Sequence, residues 1–525
     1  MRFDAIESIL LILATGVAIL ACFTIRKIAG HDNREPPLAP QSVPLVGHVI
    51  GLLHRRFSYY GHLSKSLAAP IFTISIIGHN VYVATKPELI QIAQKQHKTL
   101  AFLPIASKFA SIACGASQEA RDIWDKKVNG DKGDFGLSVA ASAVMRDALK
   151  PGRVIDDMSR DMIQEIKSLV DELQPAKGDS RKLGLYAWLR NTITKATTGP
   201  IYGPMNPYND PDIVDAFWEF EKGIMSILIG FLPAITARRS IAARTKVVEA
   251  FEQYYKAGGL RQASVLAQKR QAVLDHKVPF KDMARYEMGV SIALLVNTVP
   301  AAFWTLLLVH SHPGLLDEIR KEVDACIKTT ETGNSLDIAV LKESCPLLLS
   351  SYQEVLRCHS MGASTREVME DTYLGQWLLK KGAVLQMPTG VIHRDPDLWG
   401  ADADSFNPRR FLPEQKKNRP RDVCFRTFGG GKNLCPGRHF ATNEILAIVA
   451  VFIAGLDMKP TSADGSWKLP TTRNNMSLTT VMQPNDDVEV EIKARRGFED
   501  TKWTINLGES DNIFAMMTED SLEAV

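Results

Sequence analysis

The sequence predicts a mainly α-helical protein with small β-sheets, preceded by a single N-terminal transmembrane helix. Apolar residues recur at the 3.6-residue helical period over residues 162–173 and 315–327. By contrast, Ile71–Ala84 alternates and is rich in β-branched residues, which is typical of a β-hairpin. The uncharged run Ile9–Ile25 is the third observation, because a bilayer span needs about 17 to 25 mostly apolar residues.

The composition indicates an ordinary globular protein and does not favour a nucleic-acid partner. The 525 residues are 45% hydrophobic and 23% charged, which supplies ample apolar material for a large core. The net charge is only +3, from 62 basic and 59 acidic side chains, so no bulk positive charge is available for nucleic acid. The cysteines are odd in number and scattered, which predicts reduced thiols in a cytosol-like compartment: Cys22, Cys114, Cys326, Cys345, Cys358, Cys424 and Cys435.

Residues 1–27 are predicted to form an uncleaved membrane anchor. Two basic residues follow the run Ile9–Ile25, and by the positive-inside rule they keep the rest of the chain in the cytosol. A cleaved signal peptide is the main alternative, but Arg2 is accompanied by two acidic residues, so the leading segment is not basic. A buried core helix is the second alternative.

Residues 28–50 are predicted to be a proline-rich linker, because proline-rich segments are extended and semi-rigid. The main domain is expected to cover residues 51–496. Residues 497–525 are expected to be an acidic surface tail with no assigned role. The prolines of the linker are Pro36, Pro37, Pro40 and Pro44.

Local signals position several elements of the main domain. The hairpin Ile71–Ala84 is expected to turn at Gly78, His79 and Asn80. Pro313 is expected to begin a helix, since proline is tolerated in the first helical turn. The apolar block Gly223–Ile235 has two interpretations: a buried core helix, or a segment that contacts a membrane.

The segment Phe428–Ala441 carries the strongest chemical signal. Three glycines precede Cys435, Pro436 and Gly437 follow it, and an apolar run of helical length comes next. A cysteine in a tight loop before a helix lies where backbone N–H groups and the helix dipole favour a thiolate. Because no CxxC pair is present, Cys435 suits a single axial ligand of haem iron better than a structural zinc site. The alternative is a buried cysteine in a glycine-rich turn.

The pattern Phe428-x-x-Gly431-x-x-x-Cys435-x-Gly437 resembles the haem-binding loop of the cytochrome P-450 superfamily. This resemblance implies the cytochrome P-450 fold over residues 51–496 and a haem b whose iron is bound axially by Cys435. It also implies that Phe428, Gly431 and Gly437 shape the haem-binding loop. The proline-rich linker is similar to the hinge of microsomal members of the family.

A carboxylate and a guanidinium lie one helical turn apart in Glu354-Val-Leu-Arg357. An exposed pair at this spacing contributes only about 0.2–0.5 kcal/mol, so the motif by itself is weak. Its surroundings are apolar, and a buried pair needs further partners to offset desolvation. The resemblance implies that Arg410 is that partner and that the three side chains support the haem loop.

Two arginines are carried over as cofactor-binding residues. Arg366 matches the family arginine that pairs with a haem propionate, the alternative being an ordinary arginine at a strand edge. Arg146 is the replacement for the arginine of a Trp-x-x-x-Arg helix that this chain lacks. Asn433 is a departure, because the family commonly carries a basic residue there.

The oxygen-side helix departs most from the family pattern. Val296 and Asn297 stand where an acid and a threonine usually help to deliver protons for oxygen activation. Pro300 cannot donate to the carbonyl of Val296, so a polar notch that holds a water is expected there, with Asn297 and Thr298 as the catalytic residues. The alternative is a proline-kinked core helix. The motif ending at Trp304 is similar to that of the sterol 7α-hydroxylase and prostacyclin synthase clan.

Candidate pocket walls and a candidate docking face follow by position. The basic stretch Arg409–Arg438 is expected to dock an acidic electron donor, although a charge-rich loop is usually only solvated. The predicted walls are Leu103–Phe135, Leu294–Thr298, Met361–Ser364 and Asn475–Thr480.

The resemblance implies a haem-thiolate monooxygenase that oxidises a steroid, a terpenoid or a similar lipophilic secondary metabolite. It implies O2 as co-substrate, electrons from NADPH through NADPH–cytochrome P-450 reductase, and a single-pass location in the endoplasmic reticulum membrane with the catalytic domain in the cytosol. Three alternatives remain: an isomerase or dehydratase that acts on a peroxide without external electrons, a haem-binding sensor or carrier, and a membrane-tethered scaffold without haem.

Overall fold

The structure, a computed structural model, describes residues 30–43, 46–76, 79–129, 136–331, 333–472, 479–499 and 501–508. The predicted anchor of residues 1–27 lies outside the described residues. The chain divides into two compact units. The first unit runs to Ile105 and adds Met361–Asp395 and Gly431–Asn433, and the second unit contains the remainder.

Helices dominate, as the sequence predicts, and the strands are short. In chain order the helices are α1 (Gly47–Arg55), α2 (Ser58–Leu67), α3 (Pro87–Lys95), α4 (Leu103–Cys114), α5 (Gln118–Trp124), α6 (Leu137–Leu149), α7 (Arg153–Leu173), α8 (Leu185–Tyr202), α9 (Pro211–Lys222), α10 (Ile224–Ile229), α11 (Pro233–Thr236), α12 (Arg238–Lys256), α13 (Val265–Leu274), α14 (Phe280–Leu295), α15 (Thr298–His310), α16 (Pro313–Ala325), α17 (Ile338–Ser344), α18 (Pro346–His359), α19 (Thr389–His393), α20 (Pro396–Trp399) and α21 (Arg438–Gly455). The strands are β1 (Ile71–Ile76), β2 (His79–Ala84), β3 (Leu100–Ala101), β4 (Arg181–Gly184), β5 (Lys328–Thr330), β6 (Gly333–Asp337), β7 (Ala363–Val368), β8 (Thr372–Leu374), β9 (Trp377–Leu379), β10 (Val384–Pro388), β11 (Leu456–Pro460), β12 (Glu489–Ala494) and β13 (Trp503–Asn506).

The first unit is built on a five-stranded sheet of order β1-β2-β10-β7-β3. The predicted hairpin is confirmed, because β1 and β2 pair antiparallel from Ile71 opposite Ala84 to Ile76 opposite His79. His79 and Asn80 therefore belong to β2 and are not turn residues as the sequence predicts, while Gly78 lies outside the described residues. Alternate residues of β1 and β2 pack with aromatic residues of α2 in one buried cluster.

Part of the predicted linker 28–50 belongs to this unit. Thr73 of β1 donates its N–H to the carbonyl of Pro37, and Ala39 returns an N–H to the carbonyl of Thr73, each over 2.8 Å. Glu35 is buried and accepts the hydroxyl of Tyr82 at 2.6 Å. The spacer interpretation is therefore wrong for these residues, because prolines also suit the edge of a sheet.

The second unit buries its most apolar helices at its centre. Every residue of α15 is buried, and α21 packs against both α15 and α7. The predicted helical period is confirmed in α7, whose buried side chains include Met162, Ile166 and Val170. Two described helices, Phe280–His310 and Arg438–Gly455, could span a membrane by length and composition, yet 89% of the apolar window of each is buried inside the protein.

The apolar block Gly223–Ile235 is not a buried core helix. It forms α10 and α11, separated by Gly230 in the left-handed conformation (φ 69°). Ile224 and Ile227 of α10 are buried, but the apolar side chains from Ile229 onward are largely exposed, with Phe231 at 69% and Ile235 at 75%. The structure therefore favours the other interpretation of this block, a segment that contacts an apolar surface.

The predicted tail of residues 497–525 begins later than its acidic composition indicates. Strand β13 pairs parallel to β6, with Trp503 opposite Asn334. Trp503 and Ile505 are buried on one side of β13. The acidic residues conceal this short alternating pattern, so residues 503–506 belong to the second unit, and residues 509–525 lie outside the described part.

Candidate functional site

Cys435 lies in a tight loop that leads into α21. The loop is closed by a backbone hydrogen bond of 2.9 Å from the N–H of Cys435 to the carbonyl of Phe428. Gly429 and Gly431 have φ angles of +85° and +58°, in the region where a side chain is strained. Gly437 is the residue before the helix. The glycines of the motif thus make the turn that presents Cys435 at the N-terminus of a helix.

The sulfur of Cys435 lies beside two backbone hydrogen-bond donors. It accepts the backbone N–H groups of Gly437, the N-cap residue, and of Arg438, the first residue of α21. Burial raises the pKa of the Cys435 thiol, and these two N–H groups and the Arg438 guanidinium oppose that rise. An electropositive setting of this kind suits a thiolate that binds a metal.

The surroundings of Cys435 fit one axial ligand of a haem. A Cβ added at Gly437 would lie 4.0 Å from the sulfur with no closer neighbour, so the glycine leaves space beside it. Among the described residues, no group of three or more His, Cys, Asp or Glu side chains is arranged to hold a metal ion. Haem supplies its own equatorial nitrogen ligands and needs only a single thiolate from the protein.

Glu354, Arg357 and Arg410 form one buried ion cluster. The Arg357 Nε and Nη2 atoms donate to the two carboxylate oxygens of Glu354, each over 2.7 Å. The Arg410 Nε atom donates to Oε1 of Glu354 over 3.1 Å, and the backbone N–H of Asn407 adds a bond of 3.0 Å. Burial alone would lower the pKa of Arg357, but the Glu354 carboxylate more than compensates and holds it above its ordinary value.

The cluster ties α18 to the segment that precedes the cysteine loop. Arg357 also donates to the carbonyls of Ala403 (2.6 Å) and Ser405 (3.0 Å). Closer to the loop, the hydroxyl of Thr427 lies 3.2 Å from the hydroxyl of Ser360 at the end of α18. The helix with the Glu-x-x-Arg motif therefore holds both ends of residues 403–427.

Asn297 and Thr298 lie at a break between two helices. Helix α14 ends at Leu295 and α15 begins at Thr298. The hydroxyl of Thr298 donates to the carbonyl of Leu294 over 3.0 Å. The side-chain oxygen of Asn297 accepts the backbone N–H groups of Thr480 (2.8 Å) and Val481. The predicted catalytic role of both residues stays a prediction.

The helix break faces open space on one side. Ala293 is exposed although most of α14 around it is buried, and Asn297 is partly exposed. A small apolar side chain is therefore accessible beside the break. The structure also joins two of the predicted pocket walls, because Asn297 contacts Thr480. Residues 130–135 and 473–478 of the predicted walls lie outside the described residues.

The two predicted propionate arginines differ in burial. Arg366 is buried on β7 in the first unit, with its guanidinium 5.4 Å from the centre of the Phe102 ring and a hydrogen bond of 2.9 Å to the carbonyl of Thr365. It is thus not an arginine at an exposed strand edge. Arg146 lies exposed near the end of α6. Its role stays a prediction.

The sequence did not reveal that some of the basic residues between Arg409 and Arg438 are internal. Arg426 and Arg438 are buried, and Arg438 donates from Nη1 to the carbonyl of Cys435 over 3.0 Å. Lys416 and Lys417 are exposed. Position in the first turn of α21, directly after the loop, is the sequence signal that could have identified Arg438.

Comparisons with known proteins agree with this geometry. The sequence model of the family "Cytochrome P450" matches residues 36–486. The chain is 34% identical to "Cytochrome P450 monooxygenase nodJ" of Hypoxylon pulicicidum, covering 97% of this chain and 99% of that protein. It is 24% identical to "25-hydroxycholesterol 7-alpha-hydroxylase" of Rattus norvegicus, covering 66% of this chain and 87% of that protein.

A solved structure shares the fold. "Retinoic acid bound cyanobacterial CYP120A1" superposes with a TM-score of 0.68 at 20% identity, covering 88% of this chain and all of that chain.

Proposed function

Because this chain belongs to the cytochrome P450 family and is a cytochrome P450 monooxygenase, we propose that it oxidises a lipophilic substrate with O2 and electrons from NADPH. The balanced reaction is R–H + O2 + NADPH + H⁺ → R–OH + H2O + NADP⁺. NADPH–cytochrome P-450 reductase is the proposed electron donor. The observation that carries the proposal is the partly buried Cys435, whose sulfur is held at a helix N-terminus by two backbone N–H groups.

Cys435 is the residue that would bind the iron of haem b through its thiolate. When bound, haem-thiolate iron supplies the cleavage of the O–O bond, which the thiolate favours by donating electron density. Phe428 closes the loop behind Cys435, and the N–H groups of Gly437 and Arg438 hold the sulfur in position. Arg438, which is buried and donates to the carbonyl of Cys435, is proposed to face a propionate carboxylate. The propionate role of Arg366 stays a prediction.

The helix break before α15 is the proposed place where the substrate meets oxygen. Pro300 has no N–H to donate to the carbonyl of Val296, so this carbonyl is available to a water. Thr298 is the proposed proton donor or water holder, because its hydroxyl can leave the carbonyl of Leu294 by rotating. Ala293 supplies an apolar surface for the substrate beside it.

The proposed substrate is a steroid, a terpenoid or a similar polycyclic secondary metabolite. The support is the name of the rat relative, a hydroxylase of 25-hydroxycholesterol, together with the motif Asn297–Trp304. A substrate-induced change in the absorbance of the haem, measured with a panel of steroids and terpenoids, tests this class. No change with any sterol or terpenoid would contradict it.

The proposed location is the endoplasmic reticulum membrane, with residues 1–27 as a single-pass anchor and the catalytic domain in the cytosol. The exposed apolar side chains of Phe231 and Ile235 give the second unit a surface for a lipid headgroup region. Extraction of cell membranes at alkaline pH tests the anchor: full-length protein is expected in the pellet, and a form that lacks residues 1–27 is expected to be released at least in part.

The haem ligand is tested with Cys435→Ser. The reduced, carbon monoxide-treated variant is expected to lose the absorbance band of haem-thiolate proteins, because a serine oxygen does not donate electron density to iron as a thiolate does. Cys424→Ser is the control, since Cys424 is a buried cysteine that lies just before the loop. It is expected to keep the band.

Consumption of NADPH and O2 tests the reaction class. With reductase and substrate, one NADPH and one O2 are expected per product. Formation of product when neither is supplied would contradict the proposal and would instead match a peroxide isomerase.

A further inference from the structure

Residues Thr479–Gln483 form a strap across the helix break, and hydrogen bonds tie it at several points. The backbone N–H of Met482 donates to the carbonyl of His359 over 2.9 Å. The indole N–H of Trp304 donates to the carbonyl of Met482 over 2.7 Å. At the far end, the Gln483 amide donates to Glu221 on α9 over 3.0 Å.

Asn297 holds the other end of the strap. Its side-chain oxygen accepts the N–H groups of Thr480 at 2.8 Å and Val481 at 3.2 Å. A carbonyl oxygen has two lone pairs, so both are used by the strap. Asn297 occupies the N-cap position of α15, yet its side chain makes no capping bond to that helix. Its side-chain oxygen therefore accepts from Thr480 and Val481, which are separated from it by 183 and 184 positions in the sequence.

The break in the helix makes this contact possible. Pro300 lacks an N–H, and α14 ends before Val296, so Asn297 lies outside the regular part of either helix. The backbone of Asn297 still accepts the N–H of Ala301 over 3.2 Å, which anchors the residue. Its side chain is consequently directed away from the helix axis and toward the strap.

We propose that Asn297 is a positioning residue that fastens the strap Thr479–Gln483 over the helix break, and that the fastened strap determines how a bulky substrate lies there. This inference rests on the proposed function, because the helix break is the proposed meeting point of substrate and oxygen. A threonine at position 297 would not replace the amide, since its oxygen is one bond closer to the backbone. The predicted catalytic role of Asn297 differs, because there the amide holds a water beside the carbonyl of Val296.

Hydrogen–deuterium exchange of the full-length protein tests the anchor directly. In Asn297→Ala, the amides of Thr480 and Val481 lose their acceptor, and their exchange is expected to be about tenfold faster or more. In Asn297→Asp, the carboxylate still accepts both N–H groups, so exchange within about twofold of the parent is expected. Unchanged exchange in Asn297→Ala would overturn the proposal.

Two azoles of different size test the effect on the substrate space. Imidazole and the bulky ketoconazole both bind haem iron through a nitrogen, but only the bulky azole also occupies the space of a large substrate, which the proposal places beside the strap. Asn297→Ala is expected to weaken ketoconazole binding by about threefold to tenfold and to leave imidazole binding unchanged. Faster exchange with unchanged ketoconazole binding would overturn the role in substrate positioning.

Variants at the other ties separate a strap effect from a local effect of residue 297. Trp304→Phe removes the donor to the carbonyl of Met482, and Gln483→Met removes the donor to Glu221. Both variants leave Asn297 intact. Both are expected to change the affinity ratio of the two azoles in the same direction as Asn297→Ala. If only Asn297→Ala changes it, the strap is not responsible.

Failure of the proposed function has a separate signature. If the parent protein binds neither azole and shows no haem absorbance, the haem proposal fails. The exchange measurement needs no haem, so it still decides whether Asn297 holds the strap.

Discussion

Two neighbouring arginines give a direct test of the buried ion cluster. We predict that Arg410→Met destabilises the protein strongly and that Arg409→Met barely does. Methionine keeps an unbranched apolar chain in each case and removes the guanidinium. The two side chains differ mainly in burial: Arg410 is 10% exposed and Arg409 is 52% exposed.

The magnitude follows from the partners that each substitution leaves behind. Arg410 donates to the fully buried carboxylate of Glu354 and to the carbonyls of Trp399 (2.7 Å) and Asp402 (3.2 Å). Each charge-assisted bond contributes about 1.5–3 kcal/mol, but such values do not add, and Glu354 keeps Arg357 as a partner. The expected loss in the free energy of unfolding is therefore about 2–4 kcal/mol.

The control pair is exposed, and its loss is expected to cost less than about 1 kcal/mol. Arg409 contacts Glu318 at 2.6 Å, and both side chains are about half exposed.

The assay is denaturant unfolding of the purified full-length variants in detergent, followed by tryptophan fluorescence. The carbon monoxide difference spectrum is the second measurement, because α18 also holds Thr427 beside the cysteine loop. Arg410→Met is expected to lose the spectrum at a lower denaturant concentration than Arg409→Met. Equal midpoints for the two variants would refute the reasoning, since burial would then make no difference.

Two further predictions concern protonation and electron transfer. Burial raises the pKa of Glu444 to about 8, and the hydroxyl of Thr197, which donates over 2.6 Å, opposes this rise only in part. The folded state keeps the proton of Glu444 up to about pH 8, whereas the unfolded state releases it near pH 4.5. The free energy of unfolding is therefore expected to fall as the pH rises from about 4.5 to 8, by up to about 1.4 kcal/mol per pH unit, relative to the Glu444→Gln variant. Parallel pH profiles for the two proteins in denaturant unfolding would contradict this. The exposed Lys416 and Lys417 are expected to attract the acidic reductase. The double variant Lys416→Glu/Lys417→Glu is therefore expected to slow reduction of the haem iron roughly tenfold at low salt without changing imidazole binding. Equal reduction rates of the variant and the parent in stopped flow would exclude this face as the docking site of the reductase.

Local patterns in the sequence were sufficient to predict the cysteine loop. Glycines at positive φ, a cysteine and a following apolar run lie within a few residues of each other, and local geometry alone decides their arrangement. The same holds for α7 and for the hairpin β1–β2, whose side-chain periods of 3.6 and 2 are visible directly in the sequence. The helical fold class could therefore be predicted without any knowledge of which helices touch.

Burial could not be predicted in the same way. Arg426 and Arg438 resemble Lys416 in the sequence, yet two are internal and one is exposed. The acidic composition of residues 497–525 likewise concealed Trp503 and Ile505, which are buried through the pairing of β13 with β6. Charge in a local stretch does not reveal which of its members meets a distant partner.

The sequence by itself determined the fold class, the loop that presents Cys435 and the loss of one helical hydrogen bond at Pro300, because each depends on neighbouring residues and on backbone sterics. Only the tertiary structure decided that the oxygen of Asn297 is used by Thr480 and Val481. It also decided that Glu354 collects Arg357 from its own helix and Arg410 from a distant segment. These contacts join residues far apart along the chain, and a hydrogen bond forms only when folding brings donor and acceptor to within about 3 Å.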